Sequence, residues 1–139
     1  ILVGDTFHNF VDGVLIAAAF VESTPLGIVT ALAIIAHEIP QELGDFGILV
    51  HSGRSRSRAR AYKTLSALTF LLGGLVAYAA SSSIDITLLL PFAAGNFIYI
   101  ALADLVPELK ASVTPASKAI TVAFFTLGLV LLLALAAWT

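Results

Sequence analysis

The stretch "AHEIPQELGDF" (residues 36–46) places one His, two Glu, one Asp, one Gln and one Pro inside an apolar run. The flanking segments "LGIVTALAII" and "GILV" contain no charged residue. A charged side chain at the centre of a membrane-spanning helix costs at least about 2.5–3.5 kcal/mol, so such groups normally face a bundle interior or water. The stretch therefore predicts a polar face on a membrane-spanning helix, directed toward the interior of a helix bundle.

The composition points to a membrane protein. The 139 residues are 59% hydrophobic and 12% charged, with a mean hydropathy of +1.02. Soluble domains usually contain about 25% charged residues. The chain has no cysteine, which excludes disulfides and thiolate metal sites from this segment. We expect an all-α, polytopic membrane protein.

Hydropathy divides the chain into about five transmembrane helices within a single domain, residues 1–139. Each predicted span approaches or exceeds the roughly 20 residues that cross a bilayer as a helix. Polar segments with Pro, Gly and Ser separate the spans, and the longest is a loop at about 52–63. The spans are predicted at residues 1–21, 25–50, 64–81, 86–107 and 117–138.

The basic residues predict the orientation. All seven lie in two polar segments, 52–63 and 107–118, which two spans separate. Both segments therefore lie on one side, which the positive-inside rule makes cytoplasmic. A patch for anionic lipid or nucleic acid is the alternative interpretation of the arginine run. We favour the interpretation that the arginines only set the orientation in the membrane, and we expect no nucleic-acid partner.

Two polar helix faces lie at the same predicted depth. In "GDTFHNFVDG" (4–13), the residues Asp5, His8, Asn9 and Asp12 share one face at helical spacing. His8 lies 15 residues before Ser23 and His37 lies 14 residues after it, so an antiparallel hairpin brings the two histidines level. Their nitrogens and the neighbouring oxygens suit a divalent first-row metal. Pro40 either frees the carbonyl of Ala36 inside this site or only kinks the helix.

These motifs resemble a known family. The segment "HNFVDG" (8–13) followed by "HEIPQELGDFGIL" (37–49) is similar to the paired signature of the ZIP (Zrt/Irt-like) metal transporters, especially the LIV-1-like branch with an HEIPHE-type motif. The segments at 52–74 and 91–109 resemble those that follow in the family. The resemblance implies that the chain corresponds to helices four to eight of eight and lacks the first three.

The resemblance also implies a set of metal ligands. A primary site would use His8, Asp12, His37 and position 41, and a secondary site would use Asn9 and Glu38. Two departures from the family favour one principal metal with a weaker second position: position 41 is Gln, and the third span has no carboxylate. The complete predicted set is His8, Asn9, Asp12, His37, Glu38 and Gln41.

Five further carboxylates are predicted to line the pathway or to support the ligands. Glu42 and Asp45 have an alternative role as partners of the cytoplasmic arginine cluster. Asp104 and Glu108 are equally compatible with a capped helix end beside Lys110. The set is Asp5, Glu42, Asp45, Asp104 and Glu108.

We therefore expect a divalent metal transporter rather than an enzyme, with Zn²⁺ as the leading substrate and Fe²⁺, Mn²⁺ or Cd²⁺ as alternatives. The metal is transported, not held as a cofactor. Plasma membrane is the expected location, an intracellular membrane is the alternative, and a homodimer is left open. An intramembrane metallopeptidase is disfavoured because Gln41 replaces the second His of an HExxH motif. A membrane scaffold without transport activity is disfavoured, because polar side chains that only pack helices together in membranes are usually Ser, Thr or Asn, whereas these two helices carry five carboxylates and two histidines.

Overall fold

The structure, a computed structural model, describes residues 2–100, 102 and 114–137, which are mostly helical and contain no strand. This confirms the all-α class. A short 3₁₀ helix, Ile86–Leu88, precedes the fourth α-helix. The α-helices described are α1 (Leu2–Glu22), α2 (Thr24–His51), α3 (Arg56–Ala80), α4 (Leu89–Ile100) and α5 (Pro115–Ala136).

Three segments are long and apolar enough to cross a membrane by length and composition: Thr24–His51, Arg56–Ala80 and Ser117–Ala136. The first predicted span also forms a helix, α1, but it carries the polar side chains of the site. The chain divides into two compact units, Ile1–Thr87 and Leu88–Thr139. All the site residues discussed below belong to the first unit.

The connection between α2 and α3 is shorter than the loop expected at about 52–63. Helix α3 begins at Arg56, because the Ser55 hydroxyl accepts a hydrogen bond from the Arg58 backbone N–H at 3.4 Å and caps the helix. Arg and Ala are also good helix formers, so this basic segment extends the helix. Gly53 has a φ of 90°, which lets the chain turn directly after α2.

Helices α1 and α2 form a tight hairpin. Only Ser23 separates them, and its hydroxyl accepts a hydrogen bond from the Leu26 N–H at 3.3 Å. Pro25 stands in the first turn of α2, where its missing N–H costs nothing. Helix α2 then continues through Pro40 to His51. The two polar faces therefore lie on adjacent helices.

Helix α1 packs against α3 with backbone contact. A Cβ atom at Gly13 would overlap the Phe70 carbonyl, and one at Gly73 would overlap the Phe10 carbonyl. The Thr69 hydroxyl also donates a hydrogen bond to the Thr6 carbonyl at 2.8 Å. Small residues at such crossings are typical of helices that associate in lipid. This contact positions the polar face of α1 against both α2 and α3.

The first unit has polar groups inside and large apolar groups outside. Asp5, Asn9 and Asp12 are buried, whereas Phe7 is 70% exposed and Leu43 is 69% exposed. Large exposed apolar surfaces are unusual for a protein in water and suit a lipid environment. This distribution agrees with a membrane protein whose polar groups face the helix bundle.

In the second unit, α5 begins at a capped N-terminus: the Thr114 hydroxyl accepts a hydrogen bond from the Ser117 N–H at 3.1 Å. The predicted site residues Asp104 and Glu108 lie outside the described residues, so their assignment stays a prediction.

Candidate metal centre

Four side chains converge between α1 and α2. His8 and Asp12 come from α1, one turn apart, and His37 and Glu38 are consecutive on α2. One ligand atom from each lies within 4.8 Å of those of the others. The matched depth of the two histidines, expected from the hairpin, is confirmed by a distance of 3.3 Å between their Nε2 atoms. We call these four residues the His cluster.

The distances between histidine nitrogens and carboxylate oxygens of the His cluster lie between 3.2 and 3.8 Å. His8 Nε2 lies 3.2 Å from Glu38 Oε1 and 3.8 Å from Asp12 Oδ2. His37 Nε2 lies 3.3 Å from Asp12 Oδ2 and 3.6 Å from Glu38 Oε1. A tetrahedral zinc ion with bonds of about 2.0 Å separates its ligand atoms by about 3.3 Å. The cluster therefore has the dimensions of a four-coordinate metal site.

One carboxylate oxygen of the His cluster lacks a polar partner. Oδ1 of Asp12 is buried without a hydrogen-bond partner, and the Asp12 side chain is fully buried. A buried polar atom without a partner costs about 1–3 kcal/mol, and more when it is charged. A cation bound beside this oxygen would remove that cost.

The backbone orients His37. Its Nδ1 lies 3.2 Å from the Ala33 carbonyl oxygen. A carbonyl can only accept, so Nδ1 carries the proton in this contact and the lone pair is on Nε2. Metal-binding histidines commonly have a second interaction of this kind, which holds the ring in place.

Two predicted ligands have different surroundings. Asn9 is buried on α1, and its amide donates hydrogen bonds to the Asp5 carbonyl at 3.0 Å and to Asp5 Oδ1 at 3.4 Å. Gln41 is half-buried, one turn beyond His37 on α2. Glu38, which the resemblance assigns to a secondary site, has its Oε1 atom 3.2 Å from His8 Nε2 and 3.6 Å from His37 Nε2. The geometry thus groups four of the six predicted ligands.

A second polar cluster is centred on Lys63, which the sequence analysis did not single out. The ammonium of Lys63, on α3, lies 2.6 Å from Asp5 Oδ1, 3.0 Å from Glu42 Oε1 and 3.2 Å from Asp45 Oδ2. We call these four residues the Lys cluster. Lys63 was grouped with the basic loop because it follows four arginines. The signal that separates it is its position seven residues, about two turns, after the first residue of α3.

Comparison with known proteins gives one family. Residues 1–136 match the model of the ZIP zinc transporter family. The chain is 44% identical over 113 residues to zinc transporter foi of Drosophila melanogaster, a match covering 81% of this chain and 16% of that protein. It is 43% identical over 110 residues to human zinc transporter ZIP4, covering 78% and 17%.

A third relative matches nearly the whole chain. Zinc transporter SLC39A7 of Canis lupus familiaris is 35% identical over 144 residues, covering 97% of this chain and 31% of that protein. The chain thus spans less than a third of the length of these relatives. No solved structure matches it significantly.

Proposed function

The chain belongs to the ZIP zinc transporter family, and from this premise we propose that it forms the metal-carrying part of a divalent metal transporter with Zn²⁺ as the leading substrate. The relatives named above are zinc transporters by name. Fe²⁺, Mn²⁺ and Cd²⁺ are the alternative substrates, because nitrogen and oxygen ligands do not rank these metals by affinity alone.

The observation that carries this proposal is the geometry of the His cluster. Five of the six ligand-atom separations lie between 3.2 and 3.8 Å, close to the edges of about 3.3 Å in a tetrahedral zinc site. The site draws its ligands from two helices, so a relative movement of α1 and α2 would open it and release the ion. Carriers commonly bind their substrate near the middle of the membrane in sites of this kind.

The geometry also supports transport over peptide hydrolysis. A metallopeptidase of the HExxH type takes two histidines from consecutive turns of one helix. Here the partner of His37 is His8 on α1, and position 41, where that motif has its second His, is Gln41. All four side chains of the cluster can serve as ligands, with Glu38 close to both histidines instead of standing apart as a general base.

The remaining assignments follow from the sequence. We propose that the turn at 52–55 and the basic side chains around it face the cytoplasm, by the positive-inside rule. The turn at Ser23 then faces the other side. The plasma membrane as location and assembly as a homodimer stay predictions.

The proposal is tested by zinc flux into proteoliposomes that contain the full-length protein. We expect His8→Ala to reduce zinc uptake to the level of empty liposomes, because it removes one ligand of four. His51→Ala is the matched control, since His51 is exposed at the end of α2 and should keep wild-type flux. Wild-type flux in the His8→Ala variant would refute the site.

A further inference from the structure

Lys63 differs from every other basic residue near it. Arg54, Arg56, Arg58 and Arg60 are exposed, whereas the Lys63 side chain is only 7% exposed. Its ammonium contacts carboxylates from two other helices, Asp5 on α1 and both Glu42 and Asp45 on α2. Lys63 therefore occupies the point at which three carboxylates converge.

The charges of the Lys cluster do not balance. Three carboxylates surround one ammonium, which leaves two formal negative charges without a cation. The Asp5 side chain is only 2% exposed, and its Oδ2 atom is buried without a hydrogen-bond partner. A divalent cation carries the charge that this group lacks, and carboxylate oxygens are ligands that such ions accept.

The Lys cluster lies next to the His cluster on the side of the basic turn. Asp5 lies three residues before His8, and Glu42 lies four residues after Glu38, so each is roughly 5 Å further along its helix. Because α1 and α2 are antiparallel, both displacements point toward the turn at 52–55. The Asn9 amide, beside His8 in the sequence, donates hydrogen bonds to Asp5 of the Lys cluster.

We propose that Asp5, Glu42 and Asp45 form a second binding site for the transported divalent cation, and that the Lys63 ammonium occupies this site when the cation is absent. This inference rests on the proposed transport function. Lysine is suited to the role because its compact charge sits on a flexible four-carbon stem. A cation that leaves the His cluster toward the basic turn displaces the ammonium, and the ammonium returns once the cation has left.

The test is a count of bound metal on the purified full-length protein, by equilibrium dialysis against Zn²⁺ and elemental analysis. We expect one zinc per chain in the wild type and two in Lys63→Leu, because leucine removes the competing charge and supplies no ligand. Arg60→Leu, the matched control at an exposed position of the same helix, keeps one. Lys63→Arg also keeps one, because it retains a cation.

Two combined variants locate the second ion. Lys63→Leu with Asp45→Asn should return to one zinc per chain, since a ligand of the second site is lost. Lys63→Leu with His8→Ala should also bind one, at the second site alone, which separates this inference from the first site. A Lys63→Leu protein that binds only one zinc, or a Lys63→Arg protein that binds two, overturns the proposal.

A measurement on the wild-type protein covers the case in which Lys63→Leu does not fold. Acetic anhydride modifies free amines, and mass spectrometry reports the rate at each lysine. Zn²⁺ in large excess over the concentration used for the metal count, enough to displace the ammonium from the second site, should raise the modification rate of Lys63 several-fold and leave that of the exposed Lys118 unchanged. An unchanged rate at Lys63 overturns the proposal. Absence of flux in the wild-type protein together with two bound ions in Lys63→Leu would refute transport but not the second site.

Discussion

The His cluster and the Lys cluster both draw carboxylates from α1 and α2, but only the Lys cluster contains a cation supplied by a third helix. In the Lys cluster, Lys63 reaches from α3 into a group of carboxylates. In the His cluster, two histidine nitrogens lie beside the carboxylates of Asp12 and Glu38, and among the described residues no lysine or arginine is paired with those carboxylates. One cluster contains its own counter-ion, and the other is arranged to receive one.

The comparison shows that carboxylates on the same polar helix face can have different partners. Asp5 and Asp12 lie on the same face of α1 and are both buried. Asp5 forms an ion pair with a lysine from another helix, and Asp12 faces two histidines. The partner, not the residue type, decides whether the chain itself supplies a cation to the group or leaves it beside neutral ligands.

Removing the lysine should have the largest effect on stability. Lys63→Leu leaves three carboxylates unpaired, and breaking a buried ion pair from one side typically costs about 3–5 kcal/mol. We expect a lower Tm in detergent without metal, measured by thermal unfolding, and partial recovery with Zn²⁺. Arg60→Leu should change the free energy of unfolding by no more than about 0.5 kcal/mol. An unchanged Tm in Lys63→Leu would mean that the Lys cluster contributes nothing to stability.

Acid should weaken metal binding at the His cluster. Only neutral imidazole binds metal, and an ordinary histidine has a pKa near 6.5. Zinc affinity is therefore highest above that pH and falls below it. With two histidines we expect Zn²⁺ to bind about 100-fold more weakly at pH 5.5 than at pH 7.5. Titration calorimetry measures this. Affinity should change little between pH 7.5 and 8.5, and equal affinity at pH 5.5 and 7.5 would exclude histidine ligation.

Neutralising a carboxylate of the His cluster should stabilise the metal-free protein. Asp12→Asn keeps the shape of the side chain and removes a buried charge without a donor, so we expect the free energy of unfolding to rise by about 1 kcal/mol. Zinc affinity should fall in the same variant, because function requires this unfavourable arrangement. Thermal unfolding with and without Zn²⁺ measures both effects, with exposed Glu22→Gln as the control. A lower Tm without metal would indicate that Asp12 already has a stabilising partner.

Much of this arrangement was predictable because helical geometry is local. Spacing placed His8 and Asp12 on one face, and the count of residues around Ser23 placed His8 level with His37. The start of α3 was predicted too late, because charge was taken as the mark of a loop although arginine favours helices. The assignment of Glu38 to a secondary site stays a prediction, and its distances to His8 and His37 could not be predicted because they depend on side-chain direction.

The sequence by itself determined that this chain is helical and apolar outside, and that two polar faces meet at one depth. Those properties depend on periodicity and on residue counts along a single hairpin. Only the tertiary structure decided which carboxylates are paired and which are open. That distinction depends on how α3 crosses α1 at Gly13 and Gly73, because this backbone contact brings the Lys63 ammonium to Asp5 and leaves Asp12 beside the histidines.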